Sequence, residues 1–164
     1  MNPALLVVDV QNLFFTAPET AQSLRQAIPA INAAIALFRQ KGLPVVCVQH
    51  IDEADGLTPG TEAFAVPPDL ALRATDPCIH KRYGNAFNKT PLEELLKSQG
   101  VDTVIITGYC AEHCVLSTCR GARDCDFTAI LLRGALASDT AAHIPFVERI
   151  NDIISLRALA KALS

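Results

Sequence analysis

Residues 4–10, Ala-Leu-Leu-Val-Val-Asp-Val, constrain this chain more than any other stretch. The run is almost unbroken apolar, without the in–out alternation of a half-solvated strand, so it reads as a strand buried on both faces. A strand of that kind needs helices above and below it. It ends in Asp9, and a carboxylate taken out of water there requires a partner.

The rest of the chain supplies the covering layers. Pro29 opens a predicted helix to about Lys41, with Ile31, Ala34, Ile35 and Phe38 at helical spacing. Gly42 stops it, and residues 43–49 read as a second buried strand. Residues 50–76, rich in Pro and Gly, form a long excursion, and long ordered loops are often functional. A short strand is expected over 78–81. Thr90-Pro91-Leu92-Glu93 has the pattern of a capping box and starts a helix that ends before Gly100. Further strands are expected over 101–107, 127–132 and 152–155, and further helices over 113–124, 140–150 and 156–163. Alternation of this kind argues for parallel pairing through right-handed crossovers. The expected fold is a three-layer α/β/α sandwich around a mainly parallel, roughly six-stranded sheet, with residues 1–164 forming one domain.

Composition limits the partners. A net charge of −3 gives no basic surface for nucleic acid. No window approaches the roughly 20 apolar residues of a membrane span. The opening apolar run has no charged segment before it and is too short for a signal peptide, so a cytoplasmic location is expected. The six cysteines are then expected as free thiols. Those at 110, 114, 119 and 125 are spaced by 4, 5 and 6 residues, with no Cys-x-x-Cys pair, which disfavours a structural zinc site.

In a parallel sheet, ligands gather beyond the carboxyl ends of the strands. Asp9, Gln49, Lys81 and the 108–114 turn all fall there. Cys114 lies near an expected helix N-terminus, where the dipole would lower its pKa and favour the reactive thiolate. Desolvation of Asp9 would make it a better proton acceptor. Lys81 could stabilise either anion. Each residue also has an ordinary reading: a packed cysteine, a cap or structural ion pair, a solvated lysine.

Taken together, the three resemble the isochorismatase-like cysteine hydrolases. Leu5-Leu-Val-Val-Asp9-Val-Gln11-Asn12 with Phe14-Phe15 is similar to that family's opening strand. Lys81-Arg-Tyr-Gly-Asn85-Ala86-Phe87, followed by Thr90 and Leu92, is similar to its lysine segment, and Val104-Ile-Ile-Thr-Gly108 with Cys114-Val115 to its nucleophile turn. The resemblance covers nearly the whole chain, and His143 sits where the family often carries a histidine. It implies Cys114 as nucleophile, Asp9 as base and Lys81 as the third catalytic group. It further implies a cis Tyr109–Cys110 peptide and an oxyanion hole from the backbone N–H groups of Cys110 and Cys114.

Two departures narrow the reading. Ala111-Glu112 stands where the family often has Thr-Asp. The order His50-Ile51-Asp52, with no His in residues 53–79, lacks the ligand pattern of the family's metal-binding nicotinamidases, so no metal and no other cofactor is expected. A nucleophilic cysteine also argues against isochorismate cleavage. Phe15, Gln49, Tyr83, Phe87, Tyr109 and His113 are weaker candidates for substrate contact. The expected activity is hydrolysis of a C–N bond in a small molecule through a thioester, by a protein that assembles with itself. The alternatives are a catalytically silent binding or assembly protein, a metal-dependent amidase of the nicotinamidase type, and a redox or metal-binding cysteine protein.

Overall fold

A computed structural model describes all 164 residues. Six strands form one sheet in the order β3-β2-β1-β4-β5-β6, every neighbouring pair parallel. They are β1 (Pro3–Val8), β2 (Val45–His50), β3 (Cys78–Lys81), β4 (Thr103–Gly108), β5 (Thr128–Leu136) and β6 (Ile153–Ile154). The helices are α1 (Pro18–Gln40), α2 (Leu92–Ser98), α3 (Leu116–Asp124), α4 (His143–Arg149) and α5 (Leu156–Ala162). A 3-10 turn spans Asn12–Phe15 and a π-helical turn Ala111–Val115. No helix is long and apolar enough to cross a membrane.

The apolar run of β1 is explained by the two cores it feeds. Leu5 and Val7 pack with α1 and Leu159 of α5 on one face. Ala4, Leu6 and Val8 pack with Leu92 and Leu96 of α2, Cys119 of α3 and Val147 of α4 on the other. The sheet is therefore the middle of three layers, as the sequence implied.

Four local expectations are corrected. Helix α1 begins at Pro18, not Pro29, which lies inside it. A mid-helix proline removes a hydrogen bond and typically costs about 3 kcal/mol. Here an apolar stripe from Ala21 through Leu24, Ile28, Ile31 and Ile35 to Phe38 is buried along the whole helix and offsets that loss. The box at Thr90 forms by half: its hydroxyl accepts from the Leu92 N–H at 3.3 Å, but Glu93 pairs forward with Lys97 at 2.6 Å instead of reaching back. Strand β5 continues past Leu132 to Leu136, because Gly134 at φ 79° allows the register shift opposite Ile106–Gly108. The expected helix from His113 is a π-helical turn followed by α3.

Candidate active site

The carboxyl ends of β1, β3 and β4 bring Asp9, Lys81 and Cys114 together. The backbone turns sharply where β1 ends: Asp9 has φ 52°, a left-handed conformation that side chains other than glycine adopt at a cost. Its N–H donates to Val48 O at 2.9 Å, which fixes where the carboxylate points. Lys81 Nζ lies 2.7 Å from Asp9 Oδ2, and both side chains are buried, with 0% and 2% of their surface exposed. The other oxygen, Asp9 Oδ1, is buried with no hydrogen-bond partner. A carboxylate oxygen, a ring nitrogen of His50 and Cys114 Sγ lie within 4.8 Å of one another. Asp9 therefore holds an ammonium with one oxygen, leaves the other unpartnered, and has its carboxylate within 4.8 Å of a thiol.

The electrostatics correct one expectation. Burial raises Asp9 above the ordinary carboxyl range, against the lowering effect of Lys81. The Cys114 thiol is not lowered by a helix N-terminus. Burial, followed by the Asp9 charge, pushes it up to about 12, and Lys81 only partly offsets them. The π-helical turn places Cys114 inside the wound segment, where burial and Asp9 outweigh the end of the helix. At neutral pH Cys114 is therefore a neutral thiol beside a buried carboxylate.

The turn that carries Cys114 is clamped between strands. Tyr109 N–H donates to Val8 O at 2.8 Å and Ala111 N–H to Ala137 O at 2.8 Å. Gly108, at φ 110°, lies so close to β1 that a Cβ would come within 2.0 Å of Val8 O. The Tyr109–Cys110 peptide is cis, and the Cys110 N–H makes no backbone hydrogen bond.

The lysine segment is docked by side chains. The Thr118 hydroxyl of α3 accepts from Ala86 N–H at 3.0 Å. Asn85 lies against Gly121, where a Cβ would meet its amide oxygen at 2.2 Å. The motif residues after Lys81 thus join its strand to α3, the helix that follows Cys114.

Sequence reasoning did not assign two groups. His50 Nδ1 lies 3.0 Å from Lys81 Nζ, and burial, then the Lys81 charge, lowers its pKa, so the neutral ring accepts from the ammonium. Gln11 fixes His50 through both backbone groups, accepting from its N–H at 2.8 Å and donating to its carbonyl at 3.1 Å. In the sequence, His50-Ile51-Asp52 reads only as an incomplete metal motif. The second group is Glu112, which accepts from the Cys110 thiol at 3.1 Å and the Ser138 hydroxyl at 2.9 Å and pairs with His143 Nδ1 at 2.6 Å. Residues 26 and 31 positions away along the chain carry no local signal of that meeting.

The weaker candidates divide. Tyr109 and Phe15 are half-buried, and the Tyr109 ring lies 4.5 Å from that of Phe14. Phe87 is buried against Phe127 and belongs to the core. Gln49 has both amide ends engaged, by Phe64 O at 2.9 Å and the Cys78 thiol at 3.0 Å. Tyr83 is exposed beside Lys89, which donates to its hydroxyl at 3.1 Å. His113 is exposed.

A cation fits poorly here. Although Asp9, His50 and Cys114 cluster within ligand distance of one another, the Lys81 ammonium already contacts two of them. A second grouping, Cys110, Glu112 and His113, has its carboxylate engaged by Cys110, Ser138 and His143.

The chain is similar to known proteins in sequence and in fold. The chain is 33% identical over 137 residues to the isochorismatase family protein YrdC of Bacillus subtilis, covering 82% of this chain and 73% of that one. It is 30% identical over 149 residues to the maleamate amidohydrolase of Pseudomonas putida, covering 80% and 70%. An isochorismatase-like hydrolase from Alkaliphilus metalliredigens superposes over both whole chains with a TM-score of 0.91 at 24% identity, a likeness of fold. The isochorismatase domain matches residues 3–151, and the chain belongs to that family of hydrolases.

Proposed function

We propose that the protein is a cysteine hydrolase that cleaves an amide-type C–N bond of a small molecule, without a metal. The observation that carries this reading is the buried Asp9 carboxylate within 4.8 Å of the Cys114 thiol, with Oδ1 unpartnered while Lys81 holds Oδ2. A neutral thiol with a raised pKa is a weak nucleophile until a base accepts its proton. Asp9, raised by burial, is suited to that task.

The steps follow from the charges. As Cys114 Sγ attacks the carbonyl carbon, its proton passes to Asp9. The carbonyl oxygen becomes an oxyanion, which the backbone N–H groups of Cys110 and Cys114 receive. Asp9 then gives the proton to the departing nitrogen, the C–N bond breaks, and ammonia or an amine leaves. A thioester remains on Cys114. Water attacks it, Asp9 takes a proton from the water and returns it to the sulfur, and the carboxylic acid departs. Lys81 keeps Asp9 oriented throughout, and His50 holds Lys81 from the other side.

Similarity to maleamate amidohydrolase supports the amide class. The substrate remains a small carbonyl compound with a nitrogen leaving group. The test is a panel of small primary amides with ammonia release as readout. Turnover of at least one amide, unaffected by chelation and reduced to background in Cys114→Ala, is expected. Metal-dependent turnover, or no hydrolysis across the panel with a ligand bound intact, would favour the nicotinamidase-type or the binding-protein alternative.

A further inference from the structure

Away from the catalytic corner, two cysteines face each other at the edge of the sheet. Cys47 of β2 and Cys78 of β3 are register partners. Partners on adjacent parallel strands project to the same face, and such strands lie about 4.8 Å apart. That separation falls within the roughly 4.4–6.8 Å Cα range of disulfides. Both residues line one cavity of about 310 Å³, together with Gln49, Val66, Leu72 and Asp76. Both are free thiols, Cys47 buried and Cys78 exposed. The neighbour that matters to Cys78 comes from the adjacent strand.

We propose that Cys47 and Cys78 form an oxidation site, at which a peroxide-class oxidant converts the two thiols into one intramolecular disulfide. Cys78, open to solvent, meets the oxidant first. Its sulfur attacks a peroxide oxygen, the O–O bond breaks, and a sulfenic acid and one water result. Cys47 sulfur then attacks Cys78 sulfur. The S–S bond forms, the S–O bond breaks, and a second water leaves with the Cys47 proton. Two electrons and two protons pass from the thiols to the peroxide. The Cys47 thiol, and after it His80, pull the Cys78 thiol below its ordinary range, while Cys47 is pushed up. Cys78 is thereby the attacking partner and Cys47 the resolving one. The bond would tie edge strand β3, which carries Lys81 three residues on, to β2. Cys114, half-buried beside an anion, is the less reactive thiol toward the same oxidant.

The test is brief exposure of the purified chain to dilute hydrogen peroxide, followed by alkylation, trypsin and mass spectrometry. Trypsin places Cys47 in residues 42–73 and Cys78 in residues 74–81, each the only cysteine of its peptide. The expected product is one linked pair of these peptides, two hydrogens lighter than their sum, restored by dithiothreitol. It should be missing in Cys78→Ser and in Cys47→Ala. The readout needs no catalytic activity. Linkage of other cysteines, Cys78 carried on to a sulfinic acid while Cys47 stays reduced, or modification of Cys114 ahead of Cys78 would overturn the proposal.

Discussion

Asp9 lies beside the turn that contains Glu112, and the two illustrate two uses of a carboxylate. Glu112 is surrounded by donors. Burial alone would raise it, but hydrogen bonds from His143, the backbone, Cys110 and Ser138 prevail and hold it at about 2. Asp9 has one ion-pair partner, one empty oxygen and a net upward displacement. A saturated carboxylate positions its neighbours and is hard to protonate. An unsaturated one, buried and raised, can exchange a proton with whatever is brought beside it. The difference lies in the number of donors each position offers.

Substitution at Asp9 should give the largest effect. Asp9→Asn keeps the shape but removes proton acceptance, so turnover of a responsive amide should fall roughly 10²–10⁴-fold. In the wild type, kcat/KM should fall as pH drops through the raised Asp9 pKa, because the protonated acid cannot accept the thiol proton. If Asp9→Asn retained more than a tenth of wild-type turnover, the contrast with Glu112 would lose its meaning.

Next in size is Lys81→Met, which leaves Asp9 buried without its cation. Breaking a buried pair from one side typically destabilises by about 3–5 kcal/mol, readable as a lower urea midpoint. Asp9→Asn/Lys81→Met should recover much of that loss, since no charge is then left alone. Equal stability of single and double variants would show that the pair is not energetically linked.

A smaller effect is expected at His50. His50→Ala removes one of two acceptors from the Lys81 ammonium, with Asp9 still in place. A hydrogen bond to a charged group is worth about 1.5–3 kcal/mol. His50 is only half-buried, so the low end applies and kcat should fall about tenfold, with KM little changed. A change confined to KM would place His50 against substrate instead.

The smallest effect belongs to Glu112. Glu112→Gln should lower stability by about 1 kcal/mol at neutral pH and leave the position of the pH–rate profile unchanged. Its folded pKa lies below the ordinary value, so its contribution is present above about 4.5 and is lost as pH falls toward about 2. The variant should therefore differ from wild type in acid unfolding. A shifted pH–rate profile would instead give Glu112 a part in the chemistry.

The sequence showed the parallel sheet because residues buried on both faces cannot hide: β1, β2 and β4 are mostly apolar, and all their residues but His50 are buried. Asp9 stood out because a charged residue ending such a strand is conspicuous, whereas Lys81 and Cys114 joined it only through the resemblance to a known family. The sequence did not show the start of α1, where Pro29 imitates a first-turn proline while the apolar stripe runs on through it. Nor could it show how high Cys114 titrates. Position along a helix was legible, but the depth of burial and the Asp9 charge arise only when β1 and the 109–114 turn come together. His50 and Glu112 were hidden for the same reason, since their partners come from other strands and distant loops.

The central claim is covalent catalysis by Cys114 with Asp9 as base, and an acid-quenched single turnover addresses it most directly. Wild-type protein mixed with a responsive amide should carry, on the peptide containing Cys114, the mass of the amide less its nitrogen leaving group. That adduct should decay as free acid appears and should not form in Cys114→Ala, whose turnover should be at background. Hydrolysis by Cys114→Ala within tenfold of the wild-type rate, with no acyl adduct on either protein, would contradict the account.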